Sequence, residues 1–161
     1  MKHVFYTVLL LLLAVFQALA PSFWFGVKPN LILLFVLGMA ILEGPIPGMI
    51  YAVAGGMILD MLGFMVFGVN TLFLLYFAIA CSLLYGVYFT YNYIVGVLFV
   101  GGVSVLYEFF YYFFNFFLWG GRRELSVLVD VLLPEALYNI VFSFLVFYLM
   151  MQILKRCDTA V

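Results

Sequence analysis

The stretch that decides how this chain folds is residues 29–48, which read PNLILLFVLGMAILEGPIPG. Asn30 is a favoured helix N-cap residue, and an unbroken apolar run follows it as far as Glu43. The two prolines after Glu43 cannot sit inside a continuing helix without breaking its hydrogen bonds. The stretch therefore predicts a short apolar helix over 30–43 that reverses tightly into a second helix over 46–63.

The composition of the whole chain is that of a membrane protein. Of its 161 residues, 70% are hydrophobic, and only six are Lys or Arg and seven Asp or Glu. The mean hydropathy is +1.33. Soluble domains are only about 45–50% apolar, and a water-soluble fold of this length needs a charged surface that these residues cannot supply. The composition therefore predicts an integral membrane protein that crosses the bilayer several times.

Six apolar segments divide the chain. They lie at 4–20, 30–43, 46–63, 69–90, 93–118 and 131–154. We predict an all-α fold, a bundle of six transmembrane helices that forms a single membrane domain over residues 1–161. The first segment resembles a cleaved secretory signal, but Pro21 follows its Ala-Leu-Ala end, so we interpret it as a retained helix. The segments leave no room for a soluble catalytic or nucleotide-binding domain.

The orientation in the membrane is not fixed by charge. An even number of crossings places both termini on one side, and the basic residues then divide equally between the two sides. The positive-inside rule therefore gives no decision, and we expect both termini to lie in the cytoplasm.

Small residues mark one face of the third segment. Gly48, Ala52, Gly56 and Asp60 recur at every fourth position, and Gly55 widens the face. Small side chains allow another helix to approach closely, so we expect this helix to be central in the bundle. Asp60 has two interpretations: it is solvated at a helix end beside a face that serves packing alone, or it lines a polar pocket or binds a partner helix.

Polar residues recur along the last two segments. The candidates for partner binding or a polar pocket are Asp60, Glu43, Glu108, Asn115, Glu135 and Asn139, and Ser104 and Ser143 lie on the same stripes. An acid held in lipid needs an explanation, and Glu108 is either protonated, hydrogen-bonded to tyrosine hydroxyls or facing water. The stripes predict either hydrogen bonds between helices or one shared polar cavity.

The stretch 109–119 is almost entirely aromatic. Aromatic residues at the end of a span usually form the interfacial belt. Rings on all faces of a helix are also suited to contact with the helix of another protein, and Phe110, Phe113 and Phe117 are the candidates for that contact.

The residues for catalysis or metal binding are missing from the sequence. The only histidine is His3, Cys81 and Cys157 have no metal-ligand spacing, and no phosphate-binding glycine loop is present. We therefore predict a protein that is not an enzyme and has no cofactor and no metal. With a net charge of −1 and no basic stripe, nucleic acid is not a plausible partner.

The order and spacing of several short motifs resemble the MreD family of bacterial rod shape-determining membrane proteins. The motifs span most of the chain and are Pro29-Asn30-Leu31, Glu43-Gly44-Pro45 with Gly48, Gly56 with Asp60, Gly68-Val69-Asn70, Leu133-Pro134 and Tyr138-Asn139.

The resemblance implies a six-helix fold similar to the substrate-binding subunits of energy-coupling-factor vitamin transporters. It also implies a non-enzymatic scaffold in the bacterial cytoplasmic (inner) membrane, as part of the cell-wall elongation complex that maintains rod shape. The implied direct partner is MreC, with RodA and its transpeptidase reached indirectly and MreB on the cytoplasmic side. Membrane lipid and a second copy of the chain, as a homodimer, are further expected contacts.

A small-molecule binding or transport subunit is the competing function. Convergence of three of the four residues Asp60, Glu108, Asn115 and Asn139 on a closed cavity favours a ligand-binding subunit. Separate contacts of these residues between helices favour the scaffold.

Overall fold

The computed structural model describes the backbone of residues 2–19, 28–63, 67–88, 93–119 and 125–158. Side chains are described for 2–19, 28–63, 67–85, 94–114 and 133–156.

Every regular element in the described part of the chain is a helix, so the predicted all-α class is confirmed. The helices are α1 (Lys2–Leu19), α2 (Leu31–Leu42), α3 (Pro45–Leu62), α4 (Val69–Tyr88), α5 (Tyr93–Trp119) and α6 (Leu125–Asp158). Within the described residues, four stretches are helical, long and apolar enough to cross a membrane: Lys2–Leu19, Pro45–Leu62, Ile94–Phe114 and Leu133–Arg156. Helix α2 and the described part of α4 are apolar but shorter.

The α2–α3 connection follows from its sequence. The Oδ1 atom of Asn30 accepts a hydrogen bond from the backbone N–H of Leu33 at 3.2 Å, as an N-cap residue does. Helix α2 ends at Leu42, and Gly44 has a φ of 92°, a left-handed conformation that glycine adopts without strain. Pro45 then begins α3, where a missing N–H costs nothing.

Helix α6 differs from the predicted segment 131–154. It begins at Leu125, continues through Pro134 and ends at Asp158. A proline inside a membrane helix is tolerated because neighbouring helices support the turn whose hydrogen bond is lost. Pro134 lies inside α6 as it lay inside the predicted segment, and the helix extends beyond that segment at both ends.

Helix α2, not α3, is the central helix, which corrects the expectation from the small-residue face. All residues of α2 from Leu31 to Ile41 are buried, and α2 contacts each of the other five helices. A helix that is apolar on all sides is suited to burial on all sides. Helix α3 instead turns a second face outward, where Ile46, Ile50 and Met61 are exposed.

The outer surface of the bundle is apolar. On α1 the buried residues Tyr6, Leu10 and Ala14 repeat every fourth position, while Leu12 and Val15 on other sides are exposed. Large apolar side chains on the outside and polar ones inside suit a helix bundle surrounded by lipid.

Candidate functional site, a polar cavity at the start of α2

The start of α2 lies inside the bundle. Besides the cap from Asn30, the Oε1 atom of Gln17 in α1 accepts a hydrogen bond from the backbone N–H of Ile32 at 3.1 Å. These side chains satisfy N–H groups that a helix start leaves without partners. Helix α2 has 12 residues and is therefore only about 18 Å long, while the hydrocarbon core is about 30 Å thick. Over the rest of the bundle's length, residues outside α2 therefore occupy the interior.

Asn30 connects the start of α2 to the middle of α5 and α6. Its Nδ2 atom donates to Oε1 of Glu108 at 3.2 Å, and its backbone N–H donates to Oδ1 of Asn139 at 2.9 Å. Glu108 is 2% exposed and Asn139 is fully buried. Residues that lie far apart in the sequence therefore meet at one helix start.

Glu135 of α6 completes this group. Glu135 and Glu108 line the same cavity. The hydroxyl of Tyr112 donates to Oε2 of Glu135 at 2.7 Å. We call Glu108 and Glu135 the acid pair. Both acids are buried, although each belongs to an apolar helix.

A cavity of about 420 Å³ adjoins the acid pair. Helices α1, α3, α4, α5 and α6 and the segment before α2 all contribute to its wall. The polar residues of that wall are Gln17, Lys28, Asn30, Asn70, Tyr107, Glu108, Tyr111, Tyr112 and Glu135, and apolar parts come from Ala18, Leu59 and Leu62. Of the six predicted polar candidates, Glu108 and Glu135 thus line one cavity.

Asn139 lies behind the cavity wall. Its Nδ2 atom is buried and has no hydrogen bond of good geometry to a described residue, although the Glu108 carboxyl is close enough to interact with it. Ser104 and Ser143, on the same stripes, donate to backbone carbonyls of their own helices, Gly101 and Ile140, at 2.7 Å each. The two stripes therefore converge at their acids and amides, and the serines do not bridge helices.

Asp60 has a role that neither interpretation of the sequence included. It is 5% exposed and does not line the cavity. Its Oδ1 atom accepts from the backbone N–H of Asn70 at 2.9 Å, and its Oδ2 atom accepts from the N–H and Oγ1 of Thr71 at 3.2 and 2.6 Å. A carboxylate at this position caps the start of α4 and suits its dipole. Asn70 in turn accepts a hydrogen bond from the hydroxyl of Tyr107, a cavity residue, at 3.1 Å.

Glu43 lies apart from the cavity. At the other end of α2, its Oε2 atom pairs with Nζ of Lys2 at 2.7 Å, and Tyr6 donates to its Oε1 atom at 3.3 Å. The pair ties the start of α1 to the end of α2.

The small-residue face of α3 packs within the bundle. A Cβ atom on Gly48 would lie 2.8 Å from Cα of Ala40 in α2, and one on Gly56 would overlap Thr71 in α4. Ala52 is fully buried, and Gly55 packs against Ile32 and Val36 of α2. The face is thus covered by α2 and α4.

The aromatic tract faces outward in part. Phe110 and Phe113 are 41% and 49% exposed, and the rings of Phe109 and Phe113 lie parallel with centroids 6.3 Å apart. The ring of Phe110 also packs against Phe77 of α4 at 6.2 Å. The remaining predicted candidates, Asn115 and Phe117, lie outside the residues whose side chains are described.

Comparison with protein families settles what kind of protein this is. The family model described as rod shape-determining protein MreD matches residues 1–157. The chain belongs to the MreD family. Comparisons with curated proteins and with solved structures gave no match. MreD is a shape-determining family and not a known enzyme family, and together with the four long apolar helices it points to a multi-pass membrane protein.

Sequence reasoning missed several cavity residues of this MreD-family protein. Gln17, Lys28 and Tyr107 were not among the candidates, and Asn70 was noted only as part of a family motif. Gln17 carried a usable signal, because an uncharged polar residue in an apolar helix usually has a buried partner. For Lys28 no such signal was present, because a lysine in a connection between helices is usually solvated.

In the described part of this MreD-family protein, the cavity can form hydrogen bonds and charge–charge interactions with a ligand. That part of the chain contains no group of three or more His, Cys, Asp or Glu residues that could hold a metal ion. Its polar groups converge on one half-open cavity, an arrangement that suits ligand binding.

Proposed function

We propose that this protein is a non-enzymatic membrane scaffold of the cell-wall elongation complex, and that it maintains rod shape by binding MreC and linking it to peptidoglycan synthesis. Membership of the MreD family supports the role in shape determination. The observation that carries the proposed partner contact is the outward-facing pair of rings, Phe109 and Phe113, on α5. Large rigid rings provide contact area at low entropic cost.

The proposed topology has six crossings of the bacterial cytoplasmic membrane with both termini in the cytoplasm. Contacts between successive helices support alternating directions: Lys2 at the start of α1 meets Glu43 at the end of α2, and Asp60 near the end of α3 meets Asn70 near the start of α4. With this topology MreB would be reached from the cytoplasmic side, and RodA and its transpeptidase indirectly through MreC.

The surface for the partner is inferred by excluding the helix faces that already pack within the bundle. The small-residue face of α3 packs on Ala40 and Thr71, so it serves the core and is not offered to MreC or to a second copy in a homodimer. Association of helices in lipid gains little from hydrophobic burial and depends on shape matching. The exposed aromatic length of α5 is therefore the surface that we assign to the transmembrane helix of MreC.

Cysteine cross-linking in membranes tests this assignment. In a chain whose two native cysteines are replaced by alanine, single cysteines are placed at Phe109, Phe110 and Phe113, and a control at Ile50. Ile50 is also a large apolar residue, and it is 64% exposed on α3. We expect cross-links to the MreC helix from Phe109 and Phe113, with less from Phe110 and none from Ile50. Cross-links from Ile50 alone would move the partner to the outer face of α3.

A small-molecule binding or transport subunit is a second candidate, and the cavity at the start of α2 is the observation that favours it. Its volume of about 420 Å³ falls within the range of ligand pockets, about 300–1,000 Å³. Glu108 lines it and Asn139 stands directly behind, while Asp60 caps α4. Identification of a small molecule that is retained through purification from membranes, and lost in a Glu108 variant, tests this candidate.

A further inference from the structure

We propose that the cavity at the start of α2 binds an organic cation through an ammonium group, with the acid pair as its charge partner and tyrosine rings as its wall. The proposal rests on the second candidate function and is independent of the contact with MreC. It names the chemical class of ligand, which neither the family nor the fold supplies.

The acid pair requires a positive partner. The side chains of Glu108 and Glu135 are both buried, and both line the cavity. Two buried carboxyl groups that face one cavity repel each other when both are ionised, and a proton or a cation relieves that repulsion. A proton on one of the two carboxyl groups can meet that need, and an ammonium group can take its place.

The protein itself provides no such cation among its described residues. Lys28 lines the cavity but forms no ion pair with Glu108 or Glu135, and the described ion pair of Lys2 is with Glu43 at the other end of α2. The donors that reach the acid pair are neutral: Nδ2 of Asn30 on Glu108 and the hydroxyl of Tyr112 on Glu135. The described contacts thus leave the acid pair open to a cation from solution or from lipid.

Asn139, behind the cavity wall, gives a separate indication that the surroundings of Glu108 are incomplete. Its side chain is fully buried, beside Glu108, and its Nδ2 atom lacks a hydrogen bond of good geometry to any described residue. A buried N–H group without a partner is costly. A bound ammonium that leaves Glu108 ionised would give this N–H a full carboxylate to face, because N–H donors match an acceptor that carries charge.

The cavity wall suits an organic cation better than a metal ion. Tyr107, Tyr111 and Tyr112 all line it, and the rings of Tyr107 and Tyr111 stack at 6.1 Å with an interplanar angle of 10°. Tyrosine faces attract cations, and aromatic walls recognise substituted ammonium groups in this way. A volume of about 420 Å³ is also much larger than one ion, and two acids are among its described lining residues. An anionic ligand would meet the acid pair and gain nothing from it.

Isothermal titration of the purified full-length chain with choline tests the proposal. The matched ligand is dimethylbutanol, the uncharged analogue in which a tert-butyl group replaces the trimethylammonium group. Shape is the same and only the charge differs, so we expect choline to bind at least about tenfold more tightly. Equal affinity of the two compounds would overturn the ammonium chemistry. If those equal affinities were lost in Glu108 variants, the small-molecule function would still stand.

Three isosteric variants locate the site. Glu108→Gln and Glu135→Gln remove a charge from the acid pair, while Glu43→Gln removes a buried acid that does not line the cavity. We expect choline affinity to fall about tenfold or more in the first two and to stay unchanged in the third. A comparable loss in Glu43→Gln, or none in Glu108→Gln, would show that choline binds elsewhere. Helical circular dichroism of each variant verifies that the bundle has formed.

The ammonium group can come from a soluble molecule or from a lipid headgroup, and the bilayer distinguishes these sources. The titration is repeated in nanodiscs of phosphatidylglycerol alone and in nanodiscs that also contain phosphatidylethanolamine and phosphatidylcholine. Weaker choline binding in the second set would show that the lipid headgroup occupies the cavity. Equal binding in both sets would assign the cavity to a soluble amine. Absence of choline binding in phosphatidylglycerol nanodiscs and in detergent would overturn the proposal.

Discussion

Gly56 of α3 lies so close to Thr71 of α4 that a Cβ atom on the glycine would overlap the backbone of the threonine. One helical turn further along α3, Asp60 accepts hydrogen bonds from the same Thr71. The two contacts together fix the α3–α4 hairpin: the glycine allows the approach and the carboxylate caps the helix that approaches.

Substitution of Gly56 by alanine should destabilise the bundle. The added methyl group meets backbone and not a flexible side-chain end, so α3 and α4 must separate, at a cost of about 1–3 kcal/mol in the free energy of unfolding. Gly102→Ala in α5 is the matched control, because nothing lies within 4 Å of its added Cβ atom. The control should be neutral or more stable by up to about 1 kcal/mol. Denaturant titration in detergent micelles measures both, and equal effects would contradict the close approach.

Asp60 should matter as an acceptor more than as a charge. Asp60→Ala leaves the N–H groups of Asn70 and Thr71 without their buried partner, and we expect a loss of about 2–3 kcal/mol in the free energy of unfolding. Asp60→Asn keeps one acceptor oxygen and should cost about half as much. Thermal unfolding followed by circular dichroism compares the two. An asparagine variant as unstable as the alanine variant would show that the negative charge is required.

Glu108→Gln should leave the fold intact. The amide keeps an oxygen that can accept from Asn30, and it adds an N–H donor that faces the cavity. We expect a change within about 1 kcal/mol, against a loss of about 2–3 kcal/mol for Glu108→Leu, which leaves Asn30 without its acceptor. A severe loss of rod shape in cells that carry the stable Glu108→Gln protein would show that the negative charge itself serves the function.

Two substitutions of Asn30 should separate the stability that comes from its helix cap from the stability that comes from its contact with the acid pair. Asn30→Ser keeps the cap on Leu33 but cannot donate to Glu108 through an amide, and we expect a cost of about 1 kcal/mol. Asn30→Asp also keeps the cap but places a third carboxylate against Glu108, so it should cost about 2 kcal/mol or more. Unfolding of both variants at neutral pH gives the comparison. If the aspartate variant were as stable as the serine variant, a negative charge at position 30 would not repel the acid pair.

The sequence by itself determined the membrane class, the all-helical fold and the position of the α2–α3 turn. Each depends on residues that are neighbours in the chain: the apolar content of a segment, the cap that Asn30 gives to Leu33, and the prolines that begin α3. Such signals are local, so they can be detected before any contact between helices is known. The sequence also shows that α2 is apolar on all sides. That feature predicts which helix is buried at the centre better than the small-residue face of α3 does.

Only the tertiary structure decided which polar residues meet. Glu108, Glu135 and Asn30 come from three separate segments, and their convergence depends on how each helix is rotated about its axis. That rotation is set by close contacts such as Gly48 on Ala40 and Gly56 on Thr71, which join different helices and leave no mark on hydropathy. For the same reason Asp60 could be placed on a face of α3 from its spacing, while its use as the cap of α4 required the position of a second helix.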